Sequence, residues 1–164
     1  MFNLLGPLTN PAGAQAQVLG VFSLEVMDLV ARTLAELGTA HAFVVHGAGG
    51  LDEIALGGET MVAEVRDGKV RKFSVTPEEF GVKRAPIEAI RGGTAKENAA
   101  MISRILEGEA GAPRDIAVIN AAAALVATGV SENFRDAADT ASFAIDSGKA
   151  SEKLENLKAF TSRA

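Results

Sequence analysis

Two adjacent acidic residues, Asp52 and Glu53, are the part of this sequence best suited to chemistry. They follow the glycine-rich stretch 47–50, which itself follows an apolar run ending at His46. Two hard carboxylates on a flexible turn suit a magnesium ion that is shared with the phosphates of a substrate. The residues themselves leave open the alternative that this is an ordinary solvated pair of loop residues.

Other polar residues near predicted turns have weaker claims to function. The loop at Gly6 and Pro7 could form one wall of a flat pocket, because glycine lets a ligand approach the backbone. His46 ends a predicted strand, and we expect it to bond to nearby backbone rather than act as a base. Stretch 92–94 opens a helix but lacks the lysine of a P-loop, so a plain helix cap is favoured over a phosphate site. Asn120 stands in an apolar helix, where a satisfied structural hydrogen-bonding role is expected.

A scaffold for the acidic pair is predicted from the apolar pattern of the first third of the chain. Residues 17–22 and 41–46 have the composition of buried strands, and Ser23 can cap a helix over 24–37. Strand, helix and strand with short connections form a βαβ unit with parallel strands. Stretch 47–53 then falls at the carboxyl end of the second strand, where open α/β sheets bind their ligands.

The rest of the chain predicts a hairpin followed by helices. Segments 61–65 and 70–75 alternate around an Asp-Gly turn, which favours a tight hairpin. The helical patterns lie at 76–81, 94–106, 114–128, 132–147 and 150–161. Because no repeat or long linker divides the chain, we expect one α/β domain.

Composition excludes several classes of protein. The 164 residues are 48% hydrophobic and 23% charged, which is typical of a globular domain with a core. A net charge of −5 argues against a nucleic-acid partner, which would require a basic face. The absence of cysteine excludes disulfides and thiolate chemistry. Apolar stretches fall short of the roughly 20 residues of a membrane span, so no membrane partner and a cytoplasmic location are expected.

Two segments together resemble the anthranilate phosphoribosyltransferases. Stretch 2–11, Phe-Asn-Leu-Leu-Gly-Pro-Leu-Thr-Asn-Pro, is similar to that family's signature segment. Stretch 45–54, with Val-His-Gly followed after three residues by Leu-Asp-Glu-Ile, resembles its acidic metal-binding segment. The spacing between the two requires no gap, and stretches 92–99 and 119–122 fit the family as well. The resemblance therefore runs over essentially the whole chain.

This resemblance implies a fold and a function. The family transfers a phosphoribosyl group from phosphoribosyl pyrophosphate to the amine of anthranilate, in tryptophan biosynthesis. Asp52 and Glu53 would bind Mg2+ beside the pyrophosphate, Gly6 and Pro7 would help line the anthranilate site, and no catalytic residue is assigned. The implied fold is part of a nucleoside phosphorylase/phosphoribosyltransferase catalytic domain, a mainly parallel sheet with flanking helices and one hairpin.

The sequence also departs from the family's pattern. There, a helical domain, a Gly-Thr-Gly-Gly-Asp pyrophosphate loop, a Lys-His-Gly-Asn segment and a substrate-binding arginine precede the segment that here begins at Phe2. The Gly-Thr-Gly-Gly-Asp and Lys-His-Gly strings do not occur in this sequence. We therefore expect residues 1–164 to form a single truncated catalytic domain that is inactive alone and has an exposed apolar sheet edge. The family's homodimer uses the helical domain, which leaves the oligomeric state open.

Two other functions are compatible with the sequence. A pyrimidine nucleoside phosphorylase shares the general fold, although the Gly-Pro-Leu-Thr-Asn-Pro and Leu-Asp-Glu motifs favour the transferase. A non-catalytic fragment that pairs with a missing half in trans belongs to a different class of function.

Overall fold

A four-stranded sheet organises the protein, whose structure is a computed structural model that describes residues 6–9 and 13–162. Strand β1 is Ala16–Gly20 and strand β2 is His41–His46, and they pair in parallel. Helix α1, Leu24–Glu36, connects them. The predicted βαβ unit is thus confirmed. Its connection places the carboxyl ends of both strands at the same edge of the sheet.

Helix α1 begins and ends where the sequence predicts. The Ser23 hydroxyl accepts a hydrogen bond from the Val26 N–H at 3.3 Å, which satisfies one of the free donors of the first turn. Gly38, with φ of 78°, takes the left-handed conformation just beyond the last turn.

The hairpin adds two antiparallel strands to the sheet. Strand β3 is Thr60–Arg66 and strand β4 is Lys69–Val75. Between them Asp67 and Gly68 have φ of 50° and 71°, the positive values that a two-residue hairpin turn of this hand requires. The α/β class is confirmed. The described sheet is mixed rather than mainly parallel, with one parallel pairing and two antiparallel ones, because the hairpin follows β2 directly.

Four α-helices follow the hairpin in the described part of the chain, close to their predicted positions. They are α2 Ala95–Leu106, α3 Ala112–Ala127, α4 Phe134–Asp146 and α5 Lys149–Thr161. The capping box at Thr76 and Glu79 forms as predicted, but it opens only a 3-10 turn, Pro77–Phe80, which Gly81 ends in a left-handed conformation. None of the described helices is long and apolar enough to cross a membrane.

Apolar residues cover both faces of the sheet. Along β2, Phe43 and Val45 pack into one core cluster and Ala42 and Val44 into the other, as the alternation of side chains along a strand requires. The first cluster includes residues of α3, α4 and the 3-10 turn, and the second includes the buried face of α1. The sheet therefore forms the middle of three layers, and strand β1 is one edge of the described sheet.

Candidate metal-binding loop

The acidic loop, residues 47–54, leaves the carboxyl end of β2 and turns back on itself. The Gly47 N–H donates to the Leu51 carbonyl at 2.7 Å, closing a short antiparallel bridge. Within the bridge, Gly49 and Gly50 have φ of 76° and 82°, values that L side chains rarely adopt. Glycines at these positions therefore allow the tight reversal that precedes Asp52 and Glu53.

Both carboxylates of the acidic pair stand at the surface, directly before a buried segment. Asp52 and Glu53 are exposed, whereas Ile54 and the next two residues are buried. The loop thus presents two carboxylates to solvent from a backbone that is anchored immediately afterwards. Its place at the carboxyl end of a parallel strand pair is the one predicted from the sequence.

Helix α3 anchors the loop through Asn120. The side-chain oxygen of Asn120 accepts from the Ile54 N–H at 2.9 Å, and its amide nitrogen donates to the Ile54 carbonyl at 3.0 Å. The amide nitrogen also donates to the Ile116 carbonyl at 3.0 Å. The structural hydrogen-bonding role expected for Asn120 is confirmed, and its partner is the residue that follows the acidic pair.

Two glycines let neighbouring backbone approach the acidic loop closely. A Cβ atom at Gly20, the last residue of β1, would overlap the backbone carbonyl of Asp52. A Cβ atom at Gly47 would overlap the Glu53 carbonyl oxygen and lie 2.9 Å from the Ala55 Cβ. Both sites require glycine because backbone fills the space that a side chain would need. Gly20 could not be identified from the sequence, since an isolated glycine at a strand end has no distinctive pattern.

The ring of His46 is hydrogen-bonded to backbone, as predicted from the sequence. Its Nδ1 lies 2.8 Å from the Val21 carbonyl oxygen. A carbonyl only accepts, so Nδ1 carries the proton in this bond. His46 thereby joins the ends of β1 and β2 beneath the acidic loop, and its role in the described structure is to hold these two strand ends together.

The electrostatics of the acidic pair suit a divalent cation. Although Glu53 is exposed as a residue, the protein around its carboxyl group removes part of its hydration. This desolvation, and secondarily the negative charge of Asp52, raise the pKa of Glu53 above its ordinary value of 4.5. A cation held by these carboxylates would offset the repulsion between their charges. The described residues contain no group of three or more His, Cys, Asp or Glu placed to hold a metal. Two carboxylates are a donor set that could take part in holding Mg2+, which is commonly bound by one or two carboxylates with water and substrate phosphate as its other ligands.

The raised pKa of Glu53 predicts a pH-dependent stability for the metal-free chain. The unfolded chain ionises near 4.5, below the folded-state pKa. The folded state therefore holds more protons in this window, and this contribution to stability is complete below 4.5 and lost as pH rises through the folded-state pKa. We expect Glu53→Gln to remove this loss and to be more stable than wild type at neutral pH.

Urea denaturation between about pH 4 and pH 8 measures this effect, because the series then includes the pH range in which the contribution is complete. The control is Glu59→Gln at an exposed glutamate outside the loop, which should follow the wild-type profile. A Glu53→Gln variant with the wild-type stability at every pH would contradict the prediction.

The other predicted site residues do not meet the acidic pair in the described structure. Pro7 lines a small cavity with Gln15, Leu34 and Thr39, at the start of β1 and therefore at the opposite end of that strand. Gly6 is exposed beside it. Stretch 2–11 carried the resemblance. Its residues 2–5 and 10–11 lie outside the described residues. The assignment of Gly6 and Pro7 to a substrate site stays a prediction.

The glycine-rich stretch 92–94 is an ordinary helix start. The Gly93 N–H donates to the Asn98 side-chain oxygen at 2.7 Å, and the Thr94 N–H donates to the Glu97 carboxylate at 2.7 Å. These backbone donors are therefore occupied by side chains of α2 itself. This agrees with the helix cap that the sequence favours over a phosphate site.

A separate cleft of about 740 Å3 lies at the opposite end of β2 from the acidic loop. On its wall, Glu64 is bonded to Arg71 at 2.9 Å and to the His41 ring at 3.0 Å. Each of these groups has a partner, and neither Asp52 nor Glu53 lines the cleft. This cluster satisfies a buried carboxylate and leaves the acidic loop as the better candidate site.

Comparison with known proteins places this geometry in context. Residues 1–151 match the family described as "Glycosyl transferase family, a/b domain". The anthranilate phosphoribosyltransferase of Pelotomaculum thermopropionicum is 53% identical over 161 residues, covering 98% of this chain and 47% of that protein.

Two solved structures are similar to the chain over most of its length. The crystal structure of the anthranilate phosphoribosyltransferase from Thermus thermophilus has a TM-score of 0.88 and 47% identity, covering 99% of this chain and 48% of that one. The Saccharomyces cerevisiae enzyme in complex with PRPP and Mg has a TM-score of 0.84 and 28% identity, covering 94% of this chain and 44% of that one. The chain thus spans about half the length of the relatives it matches.

Proposed function

Because the chain belongs to the glycosyl transferase family and matches its α/β domain, we propose that it supplies the magnesium-binding part of an anthranilate phosphoribosyltransferase. The reaction joins the amine of anthranilate to the phosphoribosyl group of phosphoribosyl pyrophosphate (PRPP). The observation that carries the proposal is the acidic loop, with Asp52 and Glu53 exposed at the carboxyl end of a parallel strand pair. Its similarity to enzymes of this name supports the choice of substrates.

The chemistry asks for positioning more than for a strong base. Asp52 and Glu53 would hold Mg2+, which offsets the charge that develops on the leaving pyrophosphate. The transferred sugar passes through a cationic state, so fixed charges and held geometry lower the barrier. Asn120, Gly20 and Gly47 supply that geometry by fixing the backbone around the acidic pair. No residue is assigned as a general base.

The remaining parts of the proposal rest on the resemblance alone. Gly6 and Pro7 are assigned to the anthranilate site because stretch 2–11 is similar to the family's signature segment. A homodimer and a cytoplasmic location for the complete enzyme belong to the same proposal. Because the chain spans about half the length of its relatives, we expect the chain alone to bind without turning over substrate.

Isothermal titration of PRPP with magnesium into the purified chain tests the proposal. We expect binding to the wild type and at least a 10-fold loss in Asp52→Asn with Glu53→Gln, because a metal site with two carboxylates depends on both. The matched control is Glu107→Gln with Glu109→Gln, which removes the same charge at exposed positions outside the loop. Binding that survives the loss of the acidic pair, or no binding by folded wild type, would overturn the proposal.

Substrate identity is tested separately by thermal shift and by turnover. Protection by anthranilate rather than by a pyrimidine nucleoside is expected, and the opposite result would favour a nucleoside phosphorylase. Fluorescence of anthranilate measures turnover directly. Consumption above the blank by the chain alone would contradict the expectation that it is inactive.

A further inference from the structure

Asn120 is the one polar residue in the run from Ile116 to Ala127. The residues beside it on α3, Val118, Ile119, Ala122 and Ala123, are buried in the core. Asn120 itself is half-buried, and an amide removed even in part from water is costly unless its hydrogen bonds are made. Asn120 makes them to the acidic loop and to its own helix.

The bonds to Ile54 form a two-point clamp on one residue. The side-chain oxygen of Asn120 accepts the Ile54 N–H, and its amide nitrogen donates to the Ile54 carbonyl, at 2.9 and 3.0 Å. Because both backbone groups of Ile54 are held by one planar group, the orientation of that residue is fixed relative to α3. Glu53 precedes it directly, so the clamp sets where the acidic pair leaves the protein surface.

Other bonds hold the acidic loop on either side of this clamp. The Gly47 N–H bonds to the Leu51 carbonyl, and the Ala55 N–H donates to the buried Thr60 hydroxyl at 2.9 Å. Asn120 acts between these two points, on the residue next to the carboxylates, and it alone of these anchors comes from α3. The helix reaches the loop across 66 residues of sequence.

We propose that Asn120 is a positioning residue for the magnesium site, holding Asp52 and Glu53 through the backbone of Ile54. It contacts neither metal nor substrate, and the inference rests on the proposed function of the acidic pair. An amide is required because one group must both donate and accept. An aspartate at this position would keep the acceptor, lose the donor and turn its charge toward two carbonyls.

The test is titration of Mn2+ alone into the full chain. The electron paramagnetic resonance signal of the free ion measures how much Mn2+ is bound. We expect Asn120→Ala to weaken Mn2+ binding by about 10-fold or more, the usual effect of losing a group that orients a metal ligand. Asn120→Asp, which keeps the shape of the side chain, is the second variant if the alanine variant does not fold. It should weaken Mn2+ binding as well.

Two controls separate positioning from general stability. Asn98→Ala removes a carboxamide that bonds in the same two-point way to Gly93, away from the acidic loop. Ile119→Val trims a fully buried side chain next to Asn120 and weakens the packing of α3 without touching the clamp. Both should bind Mn2+ like wild type, because neither reaches Ile54. Amide hydrogen exchange at Ile54 should accelerate in Asn120→Ala, which loses the acceptor of the Ile54 N–H, and in neither control.

The outcomes distinguish this inference from the proposed function. If wild type binds Mn2+, the Asp52→Asn with Glu53→Gln variant does not, and Asn120→Ala binds like wild type, the positioning role is overturned and the metal site stands. If Ile119→Val weakens binding as much as Asn120→Ala does, the role of Asn120 is merely structural. If wild type does not bind Mn2+, the metal site and this inference fail together.

Discussion

Gly20→Ala should displace the acidic loop and destabilise the chain by about 3 kcal/mol or more, at the upper end of the usual cost of overpacking. The new Cβ would overlap the backbone carbonyl of Asp52. Backbone cannot rotate away as a flexible side chain can, so either β1 or the acidic loop must move. Elsewhere in a strand the same change is favourable, because alanine restricts the unfolded chain more than glycine does.

A loss of stability in Gly20→Ala, rather than a gain, would therefore identify the close approach of Gly20 to the Asp52 carbonyl as its cause. Gly57→Ala is the matched control, since its Cβ would lie 3.6 Å from the Ala85 carbonyl oxygen, an ordinary contact, and its φ is not positive. Urea denaturation followed by circular dichroism measures both variants, and Mn2+ titration shows whether the loop has moved. A Gly20→Ala variant as stable as Gly57→Ala would mean that the strand end and the loop are not in contact.

Phe80→Ala should cost about 3–5 kcal/mol, the usual range for deleting a buried aromatic ring. Phe80 is 2% exposed, and its ring centroid lies 4.8 Å from that of Phe134 on α4. It fixes the 3-10 turn after the hairpin against the helical layer. Since domains of this size are stable by only about 5–15 kcal/mol, the variant should lose a large fraction of the total free energy of unfolding.

Removal of an exposed phenylalanine ring provides the control for Phe80→Ala. Phe160 is 78% exposed on α5, so Phe160→Ala should change stability by no more than about 0.5 kcal/mol. Thermal and urea denaturation of both variants give the comparison. Equal effects of the two substitutions would show that the 3-10 turn is not part of the core.

The sequence by itself determined the local structure and the candidate site. Ser23 caps the start of α1 and Gly38 follows its end. Asp67 and Gly68 make the hairpin turn, and the acidic pair follows the predicted second strand. Each of these features depends on residues a few positions apart. Caps, turns and apolar periodicity act over that range, so they can be read without knowing the fold.

Only the tertiary structure decided what holds the acidic pair in place. The sequence indicated that Asn120 would be satisfied but not that Ile54 is its partner, 66 residues away. It gave no sign that Gly20 lies against Asp52. It also did not predict that Pro7 would lie at the opposite end of β1. These contacts arise only when the strand ends, the acidic loop and the helices are brought together in the folded chain, and no local pattern in the sequence records which backbone groups come into reach.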